Sequence, residues 1–139
     1  MLKNIVLAFD GSEYSNRALQ YAKMFAERFE ATLWLVHIFT HTSDLLGYED
    51  YEKLYSKRKA SGQALLGEAL QELSNTRLDV REKLEEGPEA ESILNIAKKC
   101  QADLIVMGTR GHGTLKGLLV GSVSRKIIHH SACPVMVVH

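Results

Sequence analysis

Short, unbroken apolar runs separated by longer amphipathic stretches set the pattern of this chain. Ile5-Val6-Leu7-Ala8-Phe9, Leu33-Trp34-Leu35-Val36-His37-Ile38-Phe39, Leu104-Ile105-Val106-Met107 and Pro134-Val135-Met136-Val137-Val138 are apolar along most of their length. Runs of this kind predict strands buried on both faces, as in parallel sheets. After the first of them, Asp10-Gly11-Ser12 signals a turn and a helix start. Ala18, Ala22, Phe25 and Phe29 then recur at helical spacing and form one apolar face. Residues 40–50 are polar, contain Gly47 and read as an exposed loop. A long charged helix is expected over about residues 51–75, with Leu54, Ser61, Leu65, Ala69 and Leu73 as a thinner inward face. Its cations Lys53, Lys57, Arg58 and Lys59 read as a solvated surface. Tyr48, Tyr51 and Tyr55 read as packing aromatics, with capping of a ligand as the alternative. Residues 78–86 alternate only in part (Leu78, Val80, Glu82, Leu84) and predict a half-exposed strand. Gly87-Pro88-Glu89 stops it, with Pro88 suited to the first turn of a helix that carries Ile93, Ala97 and Cys100 inward. A last helix is expected over residues 122–130.

Strand and helix thus alternate five and four times without a repeat, a linker or a low-complexity segment. Alternation of this kind gives an α/β fold with a parallel sheet covered by helices on both faces, because each βαβ crossover is right-handed. At 139 residues the chain is expected to form one domain, residues 1–139. Ligands on such sheets bind beyond the carboxyl ends of the strands, where the winding reverses. Asp10 leaves the first strand at that end and Gly108 leaves the fourth, so both reach one crevice if those strands are neighbours.

The connection after the fourth strand is the most informative stretch. It carries Gly108, Gly111, Gly113, Gly117 and Gly121 and is far longer than the usual ~2–6 residues between a strand and a helix. Glycines allow close backbone approach to a bulky ligand. Gly121-Ser122-Val123-Ser124 opens a helix, whose free amides and positive dipole end attract anions. These residues together read as a phosphate cradle. A P-loop is excluded, because no Lys-Ser or Lys-Thr follows a glycine at the required spacing, and a dinucleotide fingerprint fails at Lys116. What stands is Gly108-x2-Gly111-x9-Gly121-Ser122. This resembles the nucleotide-binding motif G-x2-G-x9-G-[ST] of the universal stress protein family. The resemblance also takes in Ile5 to Ser12, Leu35-Val36-His37-Ile38 and everything from Asp103 onward, and is weakest between Thr40 and Arg77.

That resemblance implies a Rossmann-like, doubly wound five-stranded sheet of order 3-2-1-4-5 and an adenine nucleotide, ATP, as ligand, with Mg2+ or Mn2+ able to accompany it. Ala8 and Asp10 would line the adenosine, Ile38 would meet the adenine through its backbone, and Met107 and Gly108 would border the ribose. Arg110, Gly111, Gly121, Ser122, Val123 and Ser124 would contact the phosphates. The family also commonly pairs through its final strand, which matches the wholly apolar Val135 to Val138: an uncovered edge of that kind is a hazard unless a second copy pairs with it. The function implied is a nucleotide-dependent stress-response regulator or sensor. The alternatives are a slow ATP hydrolase or phosphotransferase of the same fold, and a scaffold with an empty cradle.

From the residues alone, Asp10 also reads as a turn residue or helix cap, and Ser122 and Ser124 as helix caps. Lys116 and His112 read as solvated loop residues and His37 as a packed or sheet-end residue. His129 and His130, adjacent on a helix, point about 100° apart and cannot chelate one metal. Efficient phosphoryl transfer needs a held metal and a group that orients the attacking water. With Asp10 assigned to the nucleoside and no acidic side chain after Asp103, a weak ATPase is the most that is expected.

Charge refines the picture without changing it. The 17 acidic residues all stand at or before Asp103, whereas Arg110, Lys116, Arg125 and Lys126 follow it. A positive segment around the glycine loop suits a phosphorylated ligand, but four interrupted cations are too few for a nucleic-acid face. No apolar run approaches the ~18 residues of a membrane span, and the start leads straight into a strand, so a cytoplasmic protein without a membrane partner is expected. Cys100 and Cys133 lack metal or redox spacing and read as reduced packing thiols.

Overall fold

The computed structural model describes residues 1–40, 48–110 and 120–139, without the side chains at 48 and 49. Its elements are β1 (Asn4–Ala8), α1 (Glu13–Phe29), β2 (Thr32–Phe39), α2 (Tyr48–Leu73), β3 (Val80–Glu86), α3 (Glu89–Lys99), β4 (Leu104–Gly108), α4 (Ser122–His130) and β5 (Val135–Val138). The strands form one all-parallel sheet in the order β3-β2-β1-β4-β5. The long second helix starts earlier than its apolar face suggests, at Tyr48, and so takes in residues expected to be loop.

Alternation along the central strands separates two cores. Ile5, Leu7, Leu33, Leu35 and Val106 point to the side covered by α1 and α2, where Ala18, Leu19, Ala22, Leu66 and Leu73 meet them. Val6, Val36, Ile38, Ile105 and Met107 point to the other side, against Ile93, Ile96 and Ile127 of α3 and α4. Because β1, β2 and β4 are covered twice, their sequences read as continuous apolar runs. β3 lies at one edge, with Arg81, Glu82, Lys83 and Glu85 exposed. Charges of this sort blunt an edge against further pairing. β5 forms the other edge and carries no charge.

Local chemistry fixes the ends of the elements. Ser12 caps α1 by accepting a hydrogen bond from the Ser15 amide at 3.2 Å, and Glu30 ends the helix in the left-handed conformation, φ 53°. Asp103 ties β4 to β1: its Oδ2 accepts from the amides of Lys3 at 2.8 Å and Asn4 at 3.0 Å. Those two amides, Asn4 first, hold its carboxyl below the usual range. A carboxylate lowered in the folded state contributes stability that is present above the ordinary carboxylate range and lost as the pH falls through its folded value. Urea titrations between neutral and acid pH should therefore show a falling midpoint, and Asp103→Asn should remove part of that dependence.

In register, Ile5, Val6 and Leu7 of β1 pair with Leu104, Ile105 and Val106 of β4 and also with Leu33, Trp34 and Leu35 of β2. The carboxyl ends of the three strands consequently stand side by side. Among the described residues, no helix is long and apolar enough to cross a membrane.

Candidate functional site

A cleft of about 900 Å3 opens along the carboxyl ends of β1, β2 and β4. Ala8, Asp10, Ile38, Met107, Gly108, Arg110, Gly121, Ser122, Val123 and Ser124 all line it. Ten positions singled out from four separate segments are thus gathered around one cleft. Gly111, the eleventh, lies outside the described residues, as do His112, Lys116 and most of the glycine connection.

The start of α4 is held by the end of β4. The Gly121 amide donates to the Thr109 carbonyl at 2.7 Å, and the Thr109 amide donates to Val138 of β5 at 2.7 Å. The Ser124 hydroxyl, buried, lies 3.0 Å from both the Gly108 and Thr109 carbonyls. Its single proton is engaged there, so Ser124 offers the cleft its main-chain amide rather than its hydroxyl. Gly121 caps the helix without a side chain, and the first carboxyl-directed bond is from the Arg125 amide to Gly121 at 3.0 Å. Among the described residues no acceptor meets the amides of Ser122, Val123 and Ser124. Free amides at a helix start favour negative charge by geometry and by dipole.

Asp10 makes the local turn bond weighed from sequence, its Oδ1 accepting from the Ser12 amide at 2.9 Å, and it also lines the cleft. His37 is a half-buried sheet-end residue. Its Nδ1 lies 2.7 Å from the Phe9 carbonyl, which can only accept, so that nitrogen carries the proton. Arg110 lines the cleft and donates from Nη2 to the Tyr14 hydroxyl at 2.6 Å, with its guanidinium carbon 4.9 Å from the Tyr14 ring centre.

Several cleft residues were not legible from spacing. Leu54, Lys57, Arg58 and Ser61 of α2 form the far wall, although the two cations read as part of a solvated face. Arg58 Nη1 also donates to the Thr40 carbonyl at 3.2 Å, anchoring α2 to the end of β2. Glu89, at the start of α3, lines the cleft as well. Its side chain reaches solvent, yet crowding by surrounding protein pushes its carboxyl up, and the Asp10 charge adds to the effect. The signal for Glu89 was available: in a parallel sheet the residues after β3 emerge at the same rim as Asp10 and Gly108. Tyr51 and Tyr55 stack with ring centres 6.1 Å apart and Tyr55 meets Phe39 edge-on, which is packing; the Tyr48 side chain lies outside the described residues. Cys100 and Cys133 are free and half-buried, and burial pushes the Cys100 thiol up, away from reactivity.

A model of the universal stress protein family matches residues 1–139. The "universal stress protein in QAH/OAS sulfhydrylase 3′ region" of Thermus aquaticus is 38% identical over 138 residues, covering 99% of this chain and 99% of the relative. Among solved structures, the hypothetical protein MJ0577 is similar with a TM-score of 0.91 at 29% identity, covering 99% of this chain and 96% of the other. A universal stress protein solved in complex with cAMP is similar with a TM-score of 0.75 at 28% identity, covering 99% and 97%.

Proposed function

This chain belongs to the universal stress protein family, and on that premise we propose that it binds an adenine nucleotide, ATP foremost, and acts as a nucleotide-dependent stress-response regulator or sensor. The observation that carries the reading is the start of α4, whose first three residues, their amides without an acceptor among the described residues, line the same cleft as the ends of β1, β2 and β4. A similar protein bound to cAMP supports a nucleotide as the ligand class. Ala8, Asp10 and Ile38 would take the nucleoside, Met107 and Gly108 the ribose, and Arg110, Gly111 and residues 121–124 the phosphates. Among the described residues no cluster of three or more His, Cys, Asp or Glu side chains could hold a metal. Mg2+ or Mn2+ would therefore arrive on the phosphates, with Asp10 or Glu89 as the nearest acidic side chains in the cleft.

One observation favours the second reading, a slow ATP hydrolase or phosphotransferase. Glu89 shares the cleft with Asp10, and burial followed by the Asp10 charge pushes its carboxyl up, which is the direction general acid–base work by a carboxyl group requires. Mass spectrometry of small molecules that copurify, followed by turnover with Mg2+, separates the readings. Intact ATP supports the sensor, steady ADP release supports the enzyme, and no bound nucleotide with no titration leaves a scaffold.

The regulator is further proposed to be a cytoplasmic homodimer paired through β5. The carbonyls of Pro134 and Val138 face β4 and its exit, accepting from Ile105 and Thr109, so residues 135 and 137 turn their backbone groups outward. Val137→Pro removes one outward amide without touching the bonds to β4. Light scattering should find a dimer before the change and a monomer after it; a dimer that survives would place the contact elsewhere.

A further inference from the structure

Arg110 differs from the other cations of the cleft in how it is held. It lines the cleft at the exit of β4, yet its guanidinium leans on α1, with Nη2 2.6 Å from the Tyr14 hydroxyl and the ring 4.9 Å from its central carbon. Its Nε is buried and has no hydrogen-bond partner among the described residues. No carboxylate among them pairs with it either. By contrast, Arg17, whose guanidinium carbon is 5.8 Å from the centre of the same ring, is bound to Glu13. Tyr14 itself is set in place from below: it occupies the first turn of α1, against the Gly108 backbone. Tyr14 thus holds one edge of a guanidinium that meets no carboxylate among the described residues and that lines the same cleft as the start of α4.

A guanidinium is planar, always charged and presents paired donors that match phosphate oxygens, but it carries long-chain rotamer freedom that binding must remove. A docked guanidinium has already lost much of that freedom, so the contact it makes is stronger for the same geometry. We propose that Tyr14 is a positioning residue that presents Arg110 to the outer phosphates of the nucleotide, so that this pair makes the site discriminate by phosphate-chain length. The inference rests on the nucleotide reading above and adds a selectivity to it: a triphosphate reaches the pair and a monophosphate does not.

Isothermal titration of the full chain with ATP and with AMP, each with Mg2+, tests this on four proteins: unaltered, Arg110→Ala, Tyr14→Phe and the double variant. Arg110→Ala should weaken ATP by about 10- to 100-fold, the range for a lost charge-assisted contact, and leave AMP within about twofold. Tyr14→Phe keeps the ring and its packing while removing the hydroxyl, and should weaken ATP by about 3- to 10-fold with AMP again unchanged. In the Arg110→Ala background, Tyr14→Phe should have no further effect on ATP, because it acts only through the arginine. Thermal melts of all four guard against loss of fold. Equal weakening of ATP and AMP by Arg110→Ala overturns the inference while the nucleotide reading stands. So does a Tyr14→Phe effect that persists without the arginine. An unaltered protein that binds neither nucleotide removes both.

Discussion

Gly121→Val should abolish ATP binding while the protein still unfolds cooperatively. Gly121 holds φ −74° and ψ 169°, an extended conformation open to any residue, so a valine there brings no backbone strain. Its amide bond to Thr109 and its carbonyl bond from Arg125 involve only main-chain atoms and survive the change. What changes is the wall of the cleft. Gly121 is buried and stands at the point where the amides of residues 122–124 open. Three added carbons there exclude the oxygens that those amides would meet. The expected loss is at least about 100-fold in affinity, or about 2.7 kcal/mol. Calorimetric titration with ATP measures it, and a melt taken on the same sample shows the fold intact. Binding retained within a few-fold would mean that the start of α4 is not where the phosphates go.

Gly108→Ala should have the opposite signature, a damaged fold. A Cβ at this position would lie 2.6 Å from the Tyr14 Cβ, 3.0 Å from the Tyr14 carbonyl carbon and 3.1 Å from the Ser15 nitrogen. These are atoms of the first turn of α1, not flexible side-chain tips, so the helix itself must move away from β4. That turn is pinned by Ser12, whose side chain accepts from Ser15 and whose carbonyl takes the Asn16 amide. Overpacking of a rigid contact costs about 1–3 kcal/mol, and more where backbone meets backbone. For a domain of this size each kcal/mol shifts the melting midpoint by about 3–5 °C. Calorimetry should therefore show a drop of several degrees or more, and an unchanged midpoint would mean that α1 packs more loosely on β4 than these distances say. Nucleotide binding would fall too, but as a consequence of the displaced helix.

The contrast between the two glycines shows what could be read from sequence. Both belong to one motif spacing and both line the cleft, and that spacing identifies a loop that needs glycines without showing that only Gly108 is also packed against the first turn of α1. The apolar runs of β1, β2 and β4 were legible because each strand is covered twice. β3 was faint because Arg81, Glu82, Lys83 and Glu85 are exposed along an edge. The order of strands came from family resemblance, since residues alone leave it open, and the sheet agrees with it. Lys57 and Arg58 sit on a helix whose periodicity separates inward from outward but cannot tell open solvent from the far wall of a cleft. Tyr14 gave no signal at all. Its bond to Arg110 joins residues 96 apart, through a helix packing onto a strand that is distant in sequence.

The sheet also divides unequally along its seam. β1, β2 and β3 come from the first part of the chain, β4 and β5 from the last, and the strand-to-strand join between them is the three-residue pairing of Ile5, Val6 and Leu7 with Leu104, Ile105 and Val106. The cleft straddles the top of that join. A bound nucleotide would act as a staple across it, adding stability as RT ln(1 + [L]/Kd). Resistance of the protein to unfolding would then rise with the concentration of whatever ligand bridges the two halves of the sheet.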